Sequence, residues 1–158
     1  MRCIIFLHST TGNTRLITRY ARAHLEALGH ECTIQNIVKN PEVPNLDDVD
    51  IIGIACPTMY FRPTYAMERF VSRIPPVSGG KKKPAFLLAT AGGDVGAHFE
   101  LQANQLRHKD WIVLDALMIP AVNNWPLHRA PVEKLAPLRP SVDQLVALAP
   151  KARANLEF

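Results

Sequence analysis

The chain lacks the parts from which several common functions are built. It has three cysteines, Cys3, Cys32 and Cys56, and no C-x-x-C. It therefore offers no zinc or iron–sulfur framework of its own. All three cysteines lie in apolar, strand-like runs and read as buried, reduced thiols. No apolar run reaches the roughly 20 residues of a membrane-spanning helix. The N-terminus enters a strand directly, without a basic region, an apolar h-region or a cleavage site. A cytoplasmic location is the expectation. Aromatic residues make up only 7% of the chain. No basic stripe interleaves with them, and no helix-turn-helix or RNA-reading motif occurs, so nucleic acid is not an expected partner. G-x-G-x-x-G is absent, and the Ser9–Thr14 turn lacks the lysine after its glycine that a Walker motif requires. No spacing recommends Cys-His or Ser-His-Asp catalysis.

What is present is the composition of one folded domain, expected to span residues 1–158. Hydrophobic residues are 47% and charged residues 20% of 158, a globular balance at a size that can bury a real core. The formal charge is +4, which is compatible with plain solubility. Lys81-Lys82-Lys83 is the one basic cluster. It precedes a strand, so it belongs at the amino edge of a parallel sheet, as a solvated loop.

The pattern alternates strand and helix. Strands are predicted at Met1–Leu7, Cys32–Val38, Ile51–Cys56, Pro84–Ala89 and Trp111–Ile119. The second is weaker, as an edge strand is. Thr14–Leu28 reads as a helix with Ile17, Tyr20, Ala21, His24 and Leu28 on one face, closed by Gly29. Tyr65–Ile74 is a second helix with Ala66, Met67, Phe70, Val71 and Ile74 on a stripe, stopped by Pro75-Pro76. Asp94–His108 is a third, with Asp94 as its cap. Ser141 starts a last helix, with Gln144 placed for a capping box and Pro150 ending or kinking it. A weak helical segment is expected between Pro44 and Asp48. Apolar, non-alternating strands in this order argue an α/β fold, a parallel sheet covered by helices.

Ligands of such sheets bind beyond the carboxyl ends of the strands, near a switch in strand order. Three loops meet that rule. Ser9-Thr10-Thr11-Gly12-Asn13-Thr14 joins a strand to a helix N-terminus, where backbone N–H groups and the helix dipole favour an anion. Its hydroxyls can donate to phosphate oxygens, although the same turn would also serve as an ordinary helix cap. Pro57-Thr58-Met59-Tyr60-Phe61-Arg62-Pro63 offers flat aromatics. Thr90-Ala91-Gly92-Gly93 lets backbone N–H groups approach a ligand edge. A planar ligand bearing a phosphate meets all three, and FMN is the expected cofactor.

The S-T-T-G-N-T turn resembles the phosphate loop of flavodoxins. P-T-M-Y-F-R-P and T-A-G-G are more similar to the flavodoxin-like domains of quinone and flavin reductases, or those fused to ferredoxins. The resemblance implies a flavodoxin-like three-layer sandwich, a five-stranded parallel sheet of order 2-1-3-4-5 with helices on both faces. It implies that Ser9, Thr10, Thr11, Asn13 and Thr14 hold the FMN phosphate. Thr58, Met59 and Tyr60 would border the ring near N5. Ala91, Gly92 and Gly93 would donate backbone N–H groups to its pyrimidine edge. The implied role is an electron-transferring flavoprotein, working with a redox partner protein or a small-molecule acceptor. An NAD(P)H-dependent quinone or flavin reductase, or a non-redox binding module, are the alternatives, and oligomeric state is open. Ferredoxin-fused relatives carry cysteines beyond this point, so a longer parent protein is compatible with the sequence.

Three departures from carrier flavodoxins stand out. The second loop has no glycine, whose peptide in carriers turns to meet the reduced ring. The third loop has no aromatic, and Phe99 is expected on a helix. The charge is basic where carriers are acidic. His8 abuts the phosphate turn, and reads equally as a phosphate partner or a structural histidine. Cys56 reads as a core thiol. Pro120–Pro140 is proline-rich and leaves the last strand on the ligand side. It places Asn123, Asn124 and Trp125 over the ring or on a partner, or packs on the sheet edge.

Overall fold

Strand β1 (Arg2–Leu7) and strand β3 (Ile51–Met59) are apolar on both faces because helices cover both faces. A computed structural model describes residues 1–92 and 98–120. Its remaining elements are α1 (Asn13–Ala27), β2 (Glu31–Asn36), β4 (Arg62–Pro63), α2 (Tyr65–Arg73), β5 (Lys83–Ala91), α3 (His98–Arg107) and β6 (Trp111–Pro120). A 3₁₀ turn spans Ser78–Gly80. The main sheet runs β2-β1-β3-β5-β6, all parallel. Counting only these long strands, the order is the expected 2-1-3-4-5. The short β4 is an addition, paired antiparallel to the end of β3. The architecture is a flavodoxin-like α/β fold.

Alternation along the central strands divides the core. Phe6, Ile52, Ile54 and Cys56 pack with Met67, Phe70, Leu106 and Trp111 under α2 and α3. The Phe6 and Phe70 rings lie 4.7 Å apart and tilted, an edge-to-face type of contact. On the other face Cys3, Ile5, Leu7, Ile51 and Ala55 pack with Ile17 and Leu25 of α1. Gly53 is required here, because a Cβ would run into the Phe86 ring.

Several expectations need correction. The strand expected to stop at Cys56 continues to Met59, and the one expected to stop at Ala89 continues to Ala91. Pairing with β4 and β6 extends the ladders. Segment 44–48 is not helical. The Asn45 side chain accepts the Asp47 N–H at 2.9 Å, a local bond that competes with a helix. The carbonyls of Leu46, Asp47 and Val49 turn to the Lys83 ammonium at 2.9, 2.7 and 2.9 Å. Lys83 is therefore a structural cation, leaving Lys81 and Lys82 as the exposed basic pair. On α2, Ala66 is exposed, while Met67, Phe70 and Val71 are buried. The face of α1 centres on Ile17 and Leu25, with Tyr20, Ala21, His24 and Leu28 half-buried. Gly93, the Asp94 cap, the 121–140 stretch with Asn123, Asn124 and Trp125, and the helix from Ser141 lie outside the described residues.

Candidate functional site

The carboxyl ends of β1, β3 and β5 are neighbours at one edge of the sheet. The chain leaves β1 outward to β2 and returns to β1's other side as β3, so the switch in strand order falls between β1 and β3. Each sequence-selected loop leaves one of these ends.

The first loop follows the local rules of an anion site. Gly12 is the N-cap of α1 with φ 98°, a left-handed conformation that glycine adopts without steric cost. Ideal Cβ geometry at Gly12 meets nothing within 4 Å, so backbone conformation rather than crowding selects glycine. Thr10 and Thr11 are exposed, Ser9 is half-buried, and Asn13 is buried. The Ser9 hydroxyl accepts the Arg15 N–H at 3.2 Å, which folds the turn back over the first turn of α1. Thr14 differs from its neighbours. It is 1% exposed, and its Oγ1 lies 2.8 Å from Oγ1 of Thr90, itself 4% exposed. Its carbonyl also accepts the Thr18 hydroxyl at 2.8 Å. The Thr14–Thr90 pair ties the first loop to the third.

The second loop is a hairpin rather than an open loop. Met59 pairs with Arg62 and Thr58 with Pro63, leaving Tyr60 and Phe61 as its two-residue tip. Their φ angles are 52° and 62°, the signature of a type I′ turn, which normally takes Asn-Gly. Both rings face outward, Tyr60 at 72% and Phe61 at 77% exposure. Met59 and Tyr65 are exposed beside them, and Pro57 and Thr58 are half-buried behind. Arg62 reaches back to Glu68 of α2, Nε to Oε1 at 3.1 Å, with Nη2 to Oε2 at 3.4 Å. Its charge is thereby matched locally.

The third loop begins with Thr90 and Ala91 buried in β5 and opens at exposed Gly92. Ala91 pairs with Pro120 of β6. Phe99 sits on α3 and packs against the core under that helix, as its helical position implied.

Two residues that the sequence did not single out bind the loops together. Thr64 is the N-cap of α2, yet its hydroxyl makes no cap bond. It meets His8 Nδ1 at 2.7 Å instead. Burial lowers the His8 pKa below its ordinary value, which favours the neutral ring and a structural role. Gln102 is buried on α3 and donates from Nε2 to the Cys56 Sγ at 3.7 Å, while the Thr64 N–H also bonds that sulfur. Desolvation dominates, and pushes the Cys56 thiol up to about 12. That is the inert core thiol expected from the sequence. A threonine immediately before a helix is a readable cap signal, but its choice of His8 over its own helix is not.

No family model matches the chain, and no curated protein matches it. Solved structures do. Oxidised flavodoxin 1 from Bacillus cereus superposes with a TM-score of 0.72 at 12% identity, covering 99% of this chain and 98% of that one. The NAD(P)H:quinone oxidoreductase from Methanothermobacter marburgensis gives 0.65 at 13% identity, covering 99% and 96%. A flavodoxin from the domain Archaea gives 0.61 at 17%, covering 97% and 99%. At these identities the likeness concerns the fold.

Proposed function

We propose that this chain is an FMN-binding, flavodoxin-like redox protein that passes electrons between a reduced donor and an acceptor. The observation that carries the reading is the β1–turn–α1 unit at the strand-order switch. It combines a left-handed Gly12, exposed hydroxyls and a helix N-terminus, and the aromatic hairpin continues from the neighbouring strand β3. The pieces fit the cofactor in type: neutral donors for a phosphate, flat side chains for a ring, and an opening glycine at Gly92 for a polar edge.

On this reading Ser9, Thr10, Thr11 and the backbone of Gly12 and Asn13 hold the phosphate. Thr14 braces them from below through Thr90. Met59, Tyr60 and Phe61, with Pro57 and Thr58 behind them, would border the ring, and Ala91, Gly92 and Gly93 its polar edge. FMN would supply the redox chemistry, while the protein orients it and shields one side from water. The experiment is direct. Purified protein is titrated with FMN and with riboflavin, recording absorbance and fluorescence. FMN should bind with quenching and more tightly than riboflavin, and equal affinity would remove the phosphate site.

The second reading is an NAD(P)H-dependent quinone or flavin reductase. The quinone oxidoreductase neighbour and the glycine-free hairpin tip favour it. Steady-state NAD(P)H oxidation by FMN-loaded protein, with and without a quinone, separates the two readings. A cytoplasmic setting suits either, and no described helix is long and apolar enough to cross a membrane.

A further inference from the structure

We propose that Cys3 and Cys32 form a disulfide site, closed by a small disulfide oxidant and pinning the edge strand β2 to β1. The two residues stand directly opposite in the parallel register of β1 and β2. Opposed residues of adjacent parallel strands point to the same face, and both cysteines lie in the core under α1. Strand spacing of roughly 4.7–4.9 Å places their Cα atoms inside the ~4.4–6.8 Å window of disulfides. The two side chains are near enough to interact directly. Both are free cysteines and both are buried.

The pair is asymmetric. Cys3 lies on β1, the second strand of the sheet, and Cys32 on β2, the outermost. Opening of the outer strand exposes Cys32 first, which makes it the attacking sulfur. It sits on the outer strand of the sheet, with exposed Glu31 and Thr33 on either side. Fraying of an edge strand is a low-energy local opening, and it brings Cys32 to solvent before the rest of the core. The Cys32 thiolate attacks one sulfur of oxidised glutathione and releases one glutathione thiol. Cys3 then loses its proton and attacks Cys32 Sγ, expelling the second glutathione thiol. In sum two protein thiols become one disulfide and one small disulfide becomes two thiols, with no further reactant. Cys56 cannot take part. It is opposite Ala89 in the register, and its thiol is held near its proton by burial.

The experiment needs no flavin, so it stands apart from the proposed function. The purified chain is incubated with excess oxidised glutathione, unfolded, alkylated and mapped by mass spectrometry. A Cys3–Cys32 linked peptide with Cys56 alkylated is expected, together with a raised denaturation midpoint that dithiothreitol reverses. Cys56→Ser should behave as the parent. Cys3→Ser should stop at the mixed disulfide on Cys32. Three results would overturn the proposal: glutathione retained on Cys32 in the parent without a link, any link through Cys56, or three alkylated cysteines after oxidation in sub-denaturing urea.

Discussion

The first loop and the hairpin sit at neighbouring strand ends and are built by opposite means. In the first loop every residue suits its place. Glycine takes the left-handed position, hydroxyls surround a helix N-terminus, and the one buried hydroxyl, Thr14, is matched by Thr90. The hairpin breaks its local rule twice, holding Tyr60 and Phe61 at positive φ with both rings in solvent. A left-handed non-glycine residue costs on the order of 1–2 kcal/mol. The Arg62–Glu68 pair and the β4 ladder hold the strained turn in place. Strain of this kind, kept where the chain could have used Asn-Gly, points to selection for the rings themselves. On the proposed reading, the first loop is a socket whose stability and function agree, and the hairpin is a display element in which they compete.

The largest effect should come from the socket's exposed hydroxyls. Thr11→Val keeps the shape and removes a donor to a charged group, about 1.5–3 kcal/mol. FMN affinity should weaken about tenfold to a hundredfold, while riboflavin affinity stays nearly unchanged. Paired titrations of both ligands measure this, and equal losses would take Thr11 out of the phosphate site.

Next comes the brace. Thr14→Val leaves the Thr90 hydroxyl buried without its partner, a loss of ~1–3 kcal/mol. Replacing both threonines by valine removes the orphan, so the double variant should recover much of that loss. Urea denaturation of all four proteins in a double-mutant cycle reads the coupling. Additive losses would mean that the two hydroxyls do not depend on each other. From its sequence position Thr14 reads as one more phosphate donor, and its hydroxyl contact in the structure is to a residue 76 positions away.

The hairpin should answer in the opposite sense. Phe61→Gly relieves a left-handed side chain but frees the unfolded chain, so a gain of up to about 1 kcal/mol is expected. FMN binding should fall in the same variant, because the ring is lost. Denaturation midpoints and flavin titrations on one preparation test both. A variant that is more stable and binds flavin as before would end the display interpretation. Arg62 adds little net charge at this tip, because Glu68 pairs with its guanidinium locally.

These contrasts mark what the sequence could tell. The alternation of strands and helices, the three loops and the two-sided core follow from apolar runs and glycine positions, which are local signals, whereas the strand order comes from the resemblance to flavodoxins. The hairpin does not, because no turn rule anticipates Tyr-Phe at a type I′ tip. Nor do the Thr14–Thr90, His8–Thr64 and Cys3–Cys32 pairs. Each joins segments distant in the chain, and only the register of β1 against β2 brings Cys3 to Cys32. Lys83 was misread for the same reason, since the carbonyls that hold it come from the loop before β3.

The smallest effect concerns His8, which links the socket to the helix that follows the hairpin. Its pKa is lowered by burial, so the unfolded chain binds its proton more readily than the folded one. Between the ordinary histidine value and the lowered one, unfolding therefore takes up protons, and stability rises with pH through that window. Above the ordinary value the contribution is complete, and below the lowered one it is gone. His8→Asn can keep a hydrogen bond to Thr64 without a titrating ring, and should flatten the slope in that window while leaving stability at neutral pH little changed. Half-exposure keeps the effect small. Denaturation curves across mildly acidic pH for both proteins measure it, and an unchanged slope in the variant would assign the titration to another group.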